Sequence, residues 1–178
     1  MAYNFPKTNV KIQSQTASNS TTIDFTSVIT SNFQTYMVRF LNVVPITNSV
    51  QMQILFSTNN GSTWLGSAYL WSTFTTLSNA TNVVNDSAAD SSCTLVTGLV
   101  NTASVGISGT MMLFDMNNGT LVPKFYFDAA TVNATPNAAL IWGGGMNSGT
   151  TAITAIRFQM SSGNISSGTF VLYGVTEP

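Results

Sequence analysis

Residues 153–174 read Ile-Thr-Ala-Ile-Arg-Phe-Gln-Met-Ser-Ser-Gly-Asn-Ile-Ser-Ser-Gly-Thr-Phe-Val-Leu-Tyr-Gly. Two alternating apolar runs flank a Ser-Ser-Gly-Asn turn, the pattern of a β-hairpin that closes a domain. The rest of the chain reads the same way. Helical periodicity is missing, β-branched and aromatic residues fill the apolar runs, and Gly, Asn and Ser punctuate them. Ile23–Phe25 is expected as a short first strand and Tyr36–Val44 as a central one. Val50, Met52, Ile54 and Phe56 alternate with Gln51 and Gln53, which predicts a half-buried strand. Asn60-Gly61 then supplies a turn, and Trp64–Trp71 is expected to return as its hairpin partner.

Further strands are predicted around Val105–Ile107, at Met111–Met116 and at Leu121–Phe127, with Asn117-Asn118-Gly119 as the turn between the last two. Ala139–Trp142 reads as a short strand ended by the glycines at 143–145. Residues 73–93 and 129–137 are polar and read as exposed loops. Residues 1–21 read as an extended N-terminal arm, with the domain proper at 22–178. Some eight to ten strands with regular turn signals predict an all-β fold. The expected architecture is a single antiparallel β-sandwich domain, jelly-roll-like, in preference to a barrel around a cavity.

Composition narrows the function. The chain has 178 residues, of which 44% are hydrophobic, enough for one domain with a core. Only 6% are charged, against about 25% in an average soluble protein. The polar skin is therefore built from Ser, Thr, Asn and Gln and repels its neighbours weakly, which suits a subunit packed in an assembly. Five basic residues, Lys7, Lys11, Arg39, Lys124 and Arg157, are scattered through a chain of net charge −1. No basic stripe exists, so nucleic acid is not an expected partner. The N-terminus lacks the pattern of a secretory signal, and the longest apolar stretch, near Tyr36–Ile46, is interrupted by Arg39 and Asn42. Membrane insertion is not expected.

Chemistry-bearing residues are sparse. There is no histidine, which removes the Ser-His-Asp and Cys-His pairs and the usual zinc ligand sets. Cys93 is the single cysteine and reads as a small core residue. Asp115, Asn117 and Asn118, and Asn85 and Asp86 with Asp90, offer oxygen ligands, but their spacing falls short of a calcium loop. No cofactor and no catalysis are expected. Trp64, Tyr69, Trp71, Phe74 and Trp142 either fill the core or form a sugar-stacking surface. The glycan-facing candidates are Trp64, Trp71, Asp86 and Asp90. Arg157, inside an apolar strand, is expected to pair with a carboxylate such as Asp24 or Asp115, or to reach across a subunit interface.

The closing segment also resembles a recurrent C-terminal signature in structural proteins of tailed bacteriophages. It combines Ile153-x-x-Ile156-Arg157-Phe158, Ser161-Ser-Gly-Asn-Ile165 and Gly168-Thr-Phe-x-Leu-Tyr-Gly174. The Thr22-Ile-Asp-Phe-Thr-Ser onset and the Tyr36–Trp64 region are similar too. The resemblance implies a jelly-roll-like virion domain without catalysis, often a homotrimer, assembled in the host cytoplasm. The implied partners are other copies, a major capsid protein or other virion proteins. With only a short arm ahead of the domain, a capsid decoration or cement subunit is favoured over a fibre. Tyr3, Phe5 and Arg157 are then the candidate assembly contacts. The alternative is a tail, baseplate or fibre module that recognises a host surface glycan.

Overall fold

The computed structural model describes residues 9–133 and 136–176. It is an antiparallel β-sandwich of two unequal sheets. The strands are β1 (Asn9–Ser20), β2 (Thr22–Thr26), β3 (Thr35–Pro45), β4 (Val50–Ser57), β5 (Tyr69–Leu77), β6 (Asn82–Asp90), β7 (Cys93–Leu99), β8 (Ile107–Phe114), β9 (Lys124–Val132), β10 (Ala138–Asn147), β11 (Ala155–Met160) and β12 (Ile165–Val175). A 3-10 turn, Ala103–Val105, precedes β8. The large sheet has eight strands in the order β1-β12-β3-β8-β9-β10-β5-β6, and the small one has four, β2-β11-β4-β7. The expected all-β, jelly-roll-like sandwich is therefore the fold, with more strands than anticipated.

Period-two alternation drives the inner faces together. From the large sheet come Tyr36, Val38, Phe40, Met111, Leu113, Phe125, Phe127, Ile141, Phe170 and Leu172; from the small one Ile23, Phe25, Met52, Ile54, Phe56, Leu95, Ile156 and Phe158. The two layers meet ring to ring. Phe158 and Phe170 have centroids 5.0 Å apart, and Phe56 lies 6.2 Å from Phe125, edge to face. Two tyrosines carry a polar atom into this core with its bonds made. The Tyr36 hydroxyl donates to the Thr30 carbonyl at 2.6 Å and accepts from the Thr30 amide at 2.7 Å. The Tyr69 hydroxyl accepts the Phe56 amide at 2.7 Å. A buried hydroxyl without such partners would be destabilising.

Several expected connections are different in the structure. The 153–174 segment is not a hydrogen-bonded hairpin. β11 pairs with β2 and β4 in the small sheet, whereas β12 pairs with β1 and β3 in the large one. Residues 161–164 form an arch between layers, with Gly163 at φ +70°, a left-handed conformation that glycine adopts without strain. In the same way β5 is not the hairpin partner of β4; it lies in the other sheet, and Trp64 sits in the connection. The 73–93 segment is a β5–β6 hairpin, and 129–132 continue β9. Residues 9–20 of the expected arm are edge strand β1, zipped along β12. The candidate contacts Tyr3 and Phe5 lie outside the described residues.

The glycines at 143–145 do not end a strand but lie inside β10. A Cβ on Gly143 would sit 2.5 Å from the Ser72 carbonyl oxygen on β5, so only glycine allows the two strands to approach this closely.

Truncating Phe158 removes the ring that bridges the layers. Phe158→Ala is expected to lower unfolding stability by about 3–5 kcal/mol, read as an earlier urea midpoint with an unchanged slope.

Candidate functional site

The residues that alternate away from the core on the large sheet form the most unusual surface of the molecule. Neighbouring strands place them in rows across the sheet. One row runs Val171, Arg39, Thr110, Asp128, Trp142, Phe74, Val84. The next runs Tyr173, Met37, Met112, Tyr126, Gly144, Ser72, Asp86. A third joins Thr35, Phe114, Lys124, Met146 and Leu70. In most antiparallel sheets the outer face is polar. Here Trp142 is 47% exposed, Tyr126 53% and Leu140 56%, all on adjacent strands β9 and β10.

These side chains are arranged in pairs rather than splayed. Phe74 and Trp142 stack across β5 and β10 with centroids 4.8 Å apart, and Phe114 and Tyr126 stack across β8 and β9 at 5.9 Å and 21°. Such cross-strand aromatic pairs hold rings at fixed positions on a rigid sheet. Met112 and Met146 lie beside them and supply adaptable apolar contact. Charge is thin: Lys124 is bound to Asp115 at 2.6 Å, while Arg39 and Asp128 make no ion pair among the described residues. Arrays of exposed aromatic and apolar side chains of this kind mark interaction surfaces.

The four glycan-facing candidates do not converge. Trp64 lies over the outer face of the small sheet, where the Arg157 guanidinium stacks 4.2 Å from its ring centroid. Arg157 is held flat by a two-pronged pair with Asp24, Nε to Oδ1 at 2.8 Å and Nη2 to Oδ2 at 2.6 Å. The register that puts Arg157 opposite Asp24 on β2 makes this contact local, and of the two carboxylates expected for Arg157 it selects Asp24. Trp71 turns inward against the core, its indole N–H donating to Asp90 at 3.3 Å. Asp86 pairs with Ser72 on the outer face, while Asp90 pairs with Tyr69 on the inner one. The two acids therefore point to opposite sides of β6.

Of the aromatic set, Tyr69 belongs to the core and only Phe74 and Trp142 share the outer patch. Sequence reasoning missed Tyr126, Phe114 and the two methionines. Their signal was present in Lys124-Phe-Tyr-Phe-Asp, where both faces of one strand carry aromatics, so one of them had to face outward. Among the described residues no group of three or more His, Cys, Asp or Glu is placed to hold a metal ion, and the Asp115 carboxylate is engaged by Lys124. A crevice of about 240 Å³ opens between the layers near Leu77, Val83 and Val96, at the small end for a ligand pocket. Cys93 is fully buried, and burial pushes its thiol well above the usual range.

No family model, no curated protein and no solved structure matches the chain.

Three measurements follow from this geometry. A double-mutant cycle of Asp24→Asn with Arg157→Met is expected to give a coupling of about 1 kcal/mol, the upper range for a partly exposed pair. The same Asp24→Asn change should alter Trp64 fluorescence as its stacked cation loosens. Cys93 should resist a thiol reagent at pH 8 in the folded protein and react as unfolding proceeds, because burial keeps it a thiol rather than the nucleophilic thiolate. Reaction at the rate of a free thiol under native conditions would contradict that placement.

Proposed function

We propose that this chain is a non-enzymatic structural subunit of a bacteriophage particle, acting as a decoration or cement protein on the capsid exterior. The observation that carries the reading is the outer face of the large sheet. An aromatic and methionine-lined surface on eight hydrogen-bonded strands, its charges few and set apart, supports burial against other protein. The scarcity of charge over the whole chain supports the same reading, since such a skin favours association. The signature in residues 153–174 supports it as well, through its resemblance to tailed-phage structural proteins. Its partners in this reading are further copies of itself and the capsid lattice, and its place is the virion, assembled in the host cytoplasm.

A second reading is favoured by one specific observation. The Phe74–Trp142 pair presents an exposed indole on a rigid platform beside Asp128 and Ser72. Aromatic faces flanked by polar groups are suited to stacking against sugar rings, so a tail or fibre module that holds a host surface glycan would use this same patch.

Cryo-electron microscopy of the source particle tests both. Density for this sandwich at symmetric sites on the head shell is the result expected. Density at the tail tip, together with binding of the isolated chain to host polysaccharide that Trp142→Ala abolishes, would replace decoration by the glycan reading. Absence of the chain from purified particles would contradict both.

A further inference from the structure

Two charges at the centre of the outer face have a particular arrangement. Arg39 on β3 sits opposite Thr110 on β8, and Thr110 sits opposite Asp128 on β9. One strand separates them, a distance of about 10 Å at ordinary strand spacing. They are the only charged residues in their row, one of each sign, with Thr110 midway. The adjacent row repeats the polarity at the sheet's edges: Lys11 on β1 pairs with Tyr173, and Asp86 on β6 pairs with Ser72. In strand order the midpoint of that second pair falls between β8 and β9. The face thus has a basic half over β1 and β3, an acidic half over β9 and β6 where the one cation, Lys124 at the end of β9, is paired with Asp115, and Met112, Tyr126, Phe114 and Trp142 near its middle.

A surface with this polarity is complementary to itself. Rotation by half a turn about an axis lying in the contact plane along β8 lays the basic half of one face over the acidic half of another. The apolar middle then meets its own image, as in an isologous interface. We propose that the outer face of the large sheet binds the same face of a second copy of this chain about such a twofold, Arg39 of each copy meeting Asp128 of the other. The contact is a sheet-on-sheet packing of the kind that builds sandwiches, with the stacked aromatics as anchors and the two charge pairs fixing register. This inference rests on the structural-subunit reading and names the first partner of its surface. It differs from the trimer that the phage resemblance implies, and stoichiometry separates the two.

The test is sedimentation velocity on the purified full chain and on two variants, Arg39→Glu and Asp128→Arg, whose melting curves first establish that they are folded. Both positions are exposed, so the fold does not depend on them. The wild type is expected to dimerise with rising concentration. Each variant alone sets like charges against each other at both contacts and should weaken dimerisation by more than about tenfold. Mixing the two variants in equal amounts should restore the dimer. In the mixed dimer the two substituted side chains, one acidic and one basic, meet at one contact, and the wild-type pair forms at the other. A wild type that stays monomeric, a trimer, or a dimer indifferent to both substitutions would overturn the proposal. Detection of the chain in purified particles is read separately. A chain present in particles but monomeric in solution sinks the twofold contact and leaves the structural-subunit reading standing.

Discussion

The inner face of the large sheet has to be kept from water, and four strands are available to cover eight. Most of the structure answers to that constraint. The edge strands of the small sheet, β2 and β7, approach β1 and β12 at one side and β10 and β5 at the other. The core is therefore closed between these margins, with Phe158 on Phe170 and Phe56 on Phe125 joining the layers. β6 is left beyond the cover, and its residues are largely exposed. The chain crosses repeatedly between layers to achieve this, through the 161–164 arch and the 58–68 connection, instead of folding as a string of hairpins.

The same constraint defines the outer face. A wide sheet buried on only one side presents a broad second side, and in this chain that side is not polar. Cross-strand stacking of Phe74 on Trp142 and Phe114 on Tyr126 holds its rings in place. The small sheet's outer face is treated differently. There Arg157 is locked between Asp24 and Trp64, and Gln53 and Gln159 bond side by side at 3.2 Å. One outer face satisfies its own polar groups while the other leaves apolar area uncovered. This asymmetry is the physical ground for assigning the large sheet the interacting role.

Much of the fold was legible in the sequence because alternation reports burial directly. Val50 to Phe56 and Ile156 to Met160 face inward where the pattern placed them. Partner choice was not legible. A hairpin and an arch between layers both demand inward apolar residues on their two arms, so the Ser161-to-Asn164 turn carries the same signature for either. The 73–93 hairpin was hidden by its composition: Thr, Asn, Ser and Asp crowd the end of β5 and much of β6, and the edge position of β6 with its largely uncovered faces lets such a strand persist. Glycines 143–145 read as a stop, but the crowding that requires them comes from β5 and β9, strands distant in sequence. At the surface, the Arg157–Asp24 pair was anticipated. The outer patch was not, since periodicity shows that Tyr126 shares a face with Asp128, and Leu140 with Trp142, yet cannot say which strands lie side by side or which face is covered.

The claim that the outer face of the large sheet is the working surface can be tested most directly by oxidative footprinting with mass spectrometry. The residues that define the patch, Trp142, Tyr126, Met112 and Met146, are those that hydroxyl radicals modify most readily, and Trp64 on the opposite sheet serves as an internal reference. Compared between the dilute free chain and its assembled form, the four patch residues should lose most of their reactivity while Trp64 is unchanged. Equal modification of the patch in both states, or protection confined to Trp64, would contradict the account.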